Sequence, residues 1–265
     1  MTLLELMIAS AIMTVMCGAM AGIAIALQQS ANYNFNRGAP LQHARVTFER
    51  IQQKLASAYA APTHPGAAVY VDMVGTNRYP DTLIVWCPGT TPVNADGPPL
   101  ISECVFYCWD PTSPSTLIEL TAPTDTRTIP FDSTLQTPAW RTTLNALKTA
   151  STSKKNTLTT LLRPCSVSSG SSIPSGMATT RGAVRFELVL APSAAEYASY
   201  LAGTTAWTAM QWPQNLYGSQ FGMRRIWLRM ELQLMPSDRA GQQDTTGQFC
   251  IPFFSSALLQ DQMTP

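Results

Sequence analysis

The chain has 265 residues, 45% of them hydrophobic and only 12% charged, with a formal net charge of +1. The charged share is about half that of ordinary globular proteins, and no long block of like charge occurs, so neither a nucleic-acid-binding face nor a polybasic membrane patch organises the molecule. The length allows one large domain or two small ones, and a sparsely charged surface rich in Ser, Thr, Gln and Asn suits an exported protein that packs against copies of itself.

The chain opens MTLLELMIASAIMTVMCGAMAGIAIAL. Leu6 to Leu27 is a run of 22 uncharged, mostly apolar residues, and about 20 suffice to cross a bilayer as a helix. A buried core helix is rarely so long, apolar on all sides and terminal, so a membrane-inserted helix is expected. No Lys or Arg precedes Arg37. The segment therefore lacks the basic start of a cleavable secretory signal, and nothing in it would hold its N-terminus in the cytoplasm. Removal of a basic leader ahead of Met1 is expected on that ground. Glu5 stands at the head of the run. A charge costs about 2.5 kcal/mol or more at mid-bilayer on insertion scales, so the carboxylate either snorkels to the headgroups or is neutralised by a partner.

Within the span, Gly18-Ala-Met-Ala-Gly22 sets two glycines four residues apart, a spacing that lets helix backbones approach closely. Each glycine also weakens a helix by up to about 1 kcal/mol, and both readings suit a helix packed among neighbours. Gly38-Ala-Pro40 predicts an interruption, with Pro40 in the first turn of a new or kinked helix. Beyond it, Leu41, Ala44, Phe48, Ile51, Leu55 and Ala58 recur at spacings of three and four, an apolar stripe along one face. Arg45, Glu49, Arg50, Gln52, Gln53 and Lys54 predict a solvated opposite face. Residues 1–60 thus form a helical stalk, about 90 Å long if continuous. Its 1–27 part belongs to a membrane or filament core, and its 38–60 part is amphipathic.

Met1-Thr2-Leu3-Leu4-Glu5-Leu6, joined to a terminal apolar helix, resembles the processed N-terminus of a type IV pilin or type II secretion pseudopilin. Phe48-Glu-Arg-Ile-Gln-Gln-Lys-Leu-Ala-Ser-Ala is similar to the stalk end of large minor pilins and J-type pseudopilins. The resemblance covers roughly residues 1–60. It departs from the family in having Met rather than Phe at its first position, and Gly22 where type IVa pilins commonly carry proline. It implies cleavage by a prepilin peptidase, N-methylation at Met1, and residence in the bacterial inner membrane before assembly machinery moves the subunit into a periplasmic or extracellular filament. Met1, Glu5, Gly18 and Gly22 are then the assembly residues, with the Glu5 carboxylate meeting the terminal amine of an adjacent subunit. The implied partners are copies of this chain or related pilins, bound through their N-terminal helices.

From Ala61 the period changes from helical to alternating, predicting a β-rich head over 61–265 with the stalk's second half laid on an antiparallel sheet, an α+β, pilin-like fold. Ala183-Val-Arg-Phe-Glu-Leu-Val-Leu190 and Arg225-Ile-Trp-Leu-Arg-Met-Glu-Leu-Gln-Leu234 alternate cleanly and predict strands with one covered face. If these two pair, Arg185 and Glu187 complement Glu231 and Arg229. Further strands are expected at Ala67–Val74, Thr82–Cys87, Cys104–Trp109, Thr116–Leu120 and Phe249–Phe254, and short helices at Arg141–Thr149 and Ala194–Leu201. Thr149–Thr160 and Ser166–Thr180, rich in Ser and Thr, predict loops.

Cys17 lies in the span; Cys87, Cys104, Cys108, Cys165 and Cys250 lie in the head. Export makes disulfides plausible, and five head cysteines allow at most two bridges. Cys104 and Cys108 are about 13 Å apart on a strand, too far to bridge each other. Cys87 with Cys104 or Cys108, and Cys165 with Cys250, are the expected pairs. Cysteine spacing does not suit zinc, the two histidines (His43 and His64) lie elsewhere, and Asp96 beside Gly97 predicts a turn rather than a calcium loop. No enzyme motif of hydrolase, metalloprotease, P-loop or dinucleotide type occurs. No cofactor, metal site or enzymatic activity is expected. The predicted role is a structural filament subunit, with minor pilin or secretion pseudopilin as a finer alternative and a non-assembling, membrane-anchored binding protein as the alternative of another class.

Overall fold

A single helix, α1 (Leu3–Ala56), occupies the first 54-residue element of the chain, about 81 Å at 1.5 Å per residue. The computed structural model describes residues 2–61, 64–75, 77–89, 92–94, 97–131, 133–167, 180–210, 223–242 and 250–262. Contrary to the expected interruption, α1 runs unbroken through Gly38-Ala39-Pro40. An interior proline costs roughly 3 kcal/mol, but Pro40 is the first residue of α1 that the head buries. The 3-10 turn Ser237–Arg239 packs on the helix, and Ser237 Oγ donates to Asn36 Oδ1 at 2.8 Å. Tertiary contact overrides the local preference there.

The buried stripe of α1 is Pro40, Ala44, Thr47, Phe48, Ile51 and Leu55. It corrects the predicted stripe at both ends: Leu41 is 58% exposed, with Thr47 facing the core instead, and Ala58 lies beyond the end of α1, half-buried against the core. Arg50 and Gln52 do not simply face solvent. Arg50 pairs with Glu119, and Gln52 donates to Ser255 Oγ at 3.1 Å.

Five strands follow as an antiparallel sheet in chain order: β1 (Ala67–Val74), β2 (Asn77–Trp86), β3 (Cys104–Asp110), β4 (Ser113–Thr121) and β5 (Lys154–Thr159). Helix α2 (Pro138–Thr149) precedes β5. β5 corrects the predicted loop over Thr149–Thr160. Its KKNTLT carries no apolar alternation because it is an edge strand, and lysines on an edge discourage pairing with other chains. β6 (Pro164–Ser166) and β7 (Thr180–Gly182) make a two-stranded ribbon, so the predicted Ser166–Thr180 loop is bounded by short strands; residues 168–179 lie outside the described residues. β8 (Val184–Ala191), β9 (Met223–Leu234) and β10 (Ile251–Gln262) form a second antiparallel sheet in the order β10-β9-β8. The predicted complementarity is present. Arg185 lies opposite Glu231 and Glu187 opposite Arg229, the latter an ion pair at 3.5 Å. Helix α3 (Ala194–Leu201) follows β8.

The two large sheets face each other. Leu83, Val85, Tyr107 and Leu117 of the first join Phe186, Leu228, Met230 and Leu232 of the second, with Phe48, Ile51 and Leu55 of α1, in one core. The other face of the five-stranded sheet is also covered. Ile84, Trp86, Phe106, Ile118 and Leu120 pack beneath Ile101, Ile129 and Leu135 and the α2 residues Leu144 and Leu147. Burial on both faces is why β2 and β3 read as near-continuous apolar runs. Helix α1 touches β5, β9 and β10, so it closes one seam between the sheets. The result is the expected α+β, pilin-like arrangement: a long helical stalk packed on antiparallel sheets.

Candidate functional site

Every described residue from Thr2 to Phe35 is exposed. A helix apolar on all sides belongs in an apolar environment, and this one projects bare from the head. Its most apolar 18-residue window has a mean hydropathy of 2.1 with none of it buried, long and apolar enough to cross a membrane. Two hydroxyls of its apolar stretch are satisfied within the helix: Ser10 Oγ donates to Met7 O at 2.9 Å and Thr14 Oγ1 to Ser10 O at 2.7 Å. That is a requirement wherever water is absent.

Glu5 is held by a capping box. Its carboxylate accepts the Thr2 N–H at 2.7 Å, and Thr2 Oγ1 accepts the Glu5 N–H at 3.4 Å. An acid in the first turn also suits the positive end of the helix dipole. Among the described residues no basic side chain pairs with it. Met1 lies outside the described residues. A Cβ placed on Gly18 or on Gly22 meets nothing within 4 Å, so no contact within the chain demands glycine at either position. Near the head, the Arg37 guanidinium lies 4.6 Å from the centre of the Tyr33 ring, and Phe35 is 74% exposed. This is the kind of aromatic and cationic belt found where a helix leaves a membrane.

All six cysteines are free thiols in this structure, so none of the expected bridges is formed in it. In the β2–β3 register Trp86 lies opposite Cys104 and Thr82 opposite Cys108, so both β3 cysteines share the Trp86 face. Cys87 faces the other core, with Sγ 3.3 Å from the Lys54 carbonyl. The pleat separates it from both predicted partners. Cys165 Sγ donates to the Arg181 carbonyl, while Cys250 Sγ accepts from Arg163. Burial pushes the Cys108 thiol up to about 11 and the Cys104 thiol well above its usual value, which makes both poor nucleophiles at neutral pH. Cys17 is exposed on the bare helix.

A buried ionic cluster, invisible to periodicity, lies in the head. Arg181 of β7 reaches both Asp72 of β1 and Asp81 of β2. Arg141 of α2 donates to Asp72 at 2.6 Å and to the Met73 carbonyl at 2.7 Å, and Trp109 Nε1 donates to Asp81 at 2.7 Å. Arg181 also stacks over Tyr79, 4.8 Å from its ring centre. Burial alone would raise the Asp72 carboxyl, but Arg181 and Arg141 outweigh it and hold it below the usual carboxylate range. The cluster ties ribbon, sheet and α2 together, with both carboxylates engaged by arginine guanidinium groups. Among the described residues no group of three or more His, Cys, Asp and Glu could hold a metal ion.

Comparison of the chain with protein-family models, with curated proteins and with solved structures finds no match in any of the three. The functional reading therefore rests on the projecting helix.

Proposed function

We propose that this chain is a structural subunit of a type IV pilus-like filament, assembling through α1. The carrying observation is a helix exposed over its whole 2–35 length, apolar around its circumference, with one carboxylate at its head. A bilayer would satisfy the apolar surface. It would not use the acid, or two glycines that the chain itself does not require. A bundle of such helices uses all three: apolar surface buries against apolar surface, glycines allow close approach, and Glu5 is neutralised by the terminal amine at Met1 of a neighbour. A matched pair offsets much of the cost of an unpaired charge in an apolar setting. The subunit would wait in the inner membrane after a prepilin peptidase exposes Met1, then enter a periplasmic or extracellular filament. A minor pilin or a secretion pseudopilin would use the same contact.

The test is electron microscopy of sheared surface fibres, with mass spectrometry for this chain and for methylation at Met1. Fibres containing the N-methylated chain, lost in Glu5→Leu while the head keeps its fold, are expected. Recovery of the native chain only as a detergent-solubilised monomer, with the assembly machinery intact, would overturn the reading in favour of a non-assembling anchored protein.

A further inference from the structure

One seam between the two sheets is closed by α1; the opposite seam is a cleft of about 740 Å³. Its walls include four of the five residues Ala67–Val71 on β1 and five of the six residues Arg185–Leu190 on β8. Successive residues of a strand point to opposite faces, so a wall built from successive residues is a strand edge. β1 and β8 are the terminal strands of their sheets. Two edges thus look at each other across the cleft.

The edges differ in what their backbone groups do. On β1 they are already occupied. Gln136 accepts the Val71 N–H at 2.8 Å and donates to the Val69 carbonyl at 3.0 Å, standing where a peptide group of another strand would stand. On β8 the phase is set by the Gln233 N–H donating to the Ala183 carbonyl at 3.0 Å, with Arg185 opposite Glu231. The odd-numbered residues therefore exchange bonds with β9 and the even-numbered ones face away from it; Phe186 is fully buried, so it is the backbone groups of the half-buried Leu188 and Leu190 that open into the cleft. The side chains around it are apolar, including Phe131, Leu135, Phe186 and Leu188, while Arg78 and Arg185 stand at the rim. Among the described residues neither arginine has an ion-pair partner; Glu231, across from Arg185, takes the Gln233 amide at 2.8 Å. Among the described residues the acid in the lining is Glu187, which is paired with Arg229.

We propose that this cleft docks an extended segment of a partner protein, apolar at alternate positions and flanked by Asp or Glu, which adds to β8 as a strand. Leu188 to Leu190 spans about 7 Å, so about three residues pair. Strand addition satisfies the outward amides of β8, which an apolar small molecule of equal volume would leave to water. Two arginines at the rim, without an ion-pair partner among the described residues, select an acidic segment. The inference concerns the head alone and does not depend on what surrounds the apolar helix.

The test uses the full chain in detergent micelles and two fluorescein-labelled peptides, Asp-Val-Thr-Val-Thr-Val-Asp and Lys-Val-Thr-Val-Thr-Val-Lys. The acidic peptide should bind at least tenfold more tightly and slow hydrogen exchange at the Leu188 and Leu190 amides. Arg78→Glu with Arg185→Glu, both exposed and without ion-pair partners among the described residues, should reverse the order of the two peptides. Methylating alternate backbone nitrogens along one edge of the acidic peptide should weaken it tenfold or more. A Kd above about 1 mM for both peptides, equal affinity for the two, or cross-linking that places a second copy of this chain in the cleft would overturn the proposal.

Discussion

Arg50 of α1 grips Glu119 of β4 through two parallel hydrogen bonds, Nε to Oε2 and Nη2 to Oε1, both 2.9 Å. The Tyr107 hydroxyl donates to the same carboxylate at 3.0 Å. Fork-to-carboxylate pairing is among the stronger polar contacts available to a protein. It sits where the stalk passes into the head, so it fixes the rotation and height of α1 as well as adding stability.

Replacing Arg50 by Met removes that grip and leaves Glu119 without its cation. The Arg50 side chain is 41% exposed and that of Glu119 only 8%, so water partly compensates and the expected loss is about 1–2 kcal/mol. Arg50→Lys keeps the charge but not the fork, and should recover only part. Urea unfolding of the full chain in detergent should show a lower midpoint at unchanged slope. An unchanged midpoint would mean that apolar packing alone seats the stalk.

Acid should unfold the head through its buried carboxylates. Burial alone would raise Asp72 and Glu119, but their arginine partners, with Tyr107 also donating to Glu119, hold both below the usual range. A folded-state value below the unfolded one gives stability that is present above about pH 4 and lost as pH falls through the lower, folded value. Arg181→Met strands Asp72 and Asp81 in the interior and should cost about 3–5 kcal/mol at neutral pH. Because Asp72 then titrates higher in the fold, the variant should lose less of its remaining stability on acidification. Midpoints measured from about pH 6 down to pH 2 check both statements, and parallel curves for the two proteins would sink the second.

The parts of the fold legible in the sequence are those whose neighbours repeat. β8 and β9 alternate because one face is covered and the other wet, and the bounds of β1 and α3 follow from turn residues beside short patterned runs. Tertiary contact decided the rest. Pro40 stays helical because the head packs on it, β5 has no apolar pattern because it is an edge, and β10 continues to Gln262 through polar residues because β9 pairs with it throughout. Arg181 and Asp72, 109 positions apart, share no local pattern that could join them. That Cys87 and the two β3 cysteines lie on opposite faces is a matter of pleat parity, which became definite only once Trp86 was seen opposite Cys104. Of the candidate assembly residues, Glu5, Gly18 and Gly22 were legible because a lone acid and paired glycines stand out in an apolar run.

Gly18 and Gly22 separate the behaviour of one chain from that of many. With open space around both positions, Gly18→Leu with Gly22→Leu should raise the helical propensity of α1 by up to about 1 kcal/mol per site and leave the micelle-bound monomer folded, by circular dichroism. If filament neighbours approach along this face, the added side chains force them apart, and the pelletable filament fraction should fall at least tenfold. Wild-type filament yield with normal order would show that neighbours pack elsewhere on the helix.

Gly182 of β7 is the opposite case, a glycine required by its own chain. A Cβ there would meet Leu162 Cδ2, lie 2.6 Å from the Pro114 carbonyl oxygen and 2.9 Å from Trp109 Cβ. The leucine can turn away, but the carbonyl belongs to the β4 backbone and the Trp109 Cβ to a buried residue of β3. Relief therefore means lifting the ribbon, and the preceding residue is Arg181, whose bonds to Asp72 and Asp81 need the ribbon where it is. Gly182→Ala should cost about 1–3 kcal/mol through overpacking, with strain on the ionic cluster pushing it to the upper end. At roughly 2–4 °C per kcal/mol for a head of this size, thermal unfolding should shift down by several degrees, whereas Gly18→Ala should leave the transition of the head in place. A wild-type transition in Gly182→Ala would mean that the ribbon rides loosely on β3 and β4 and that Arg181 does not depend on its seat.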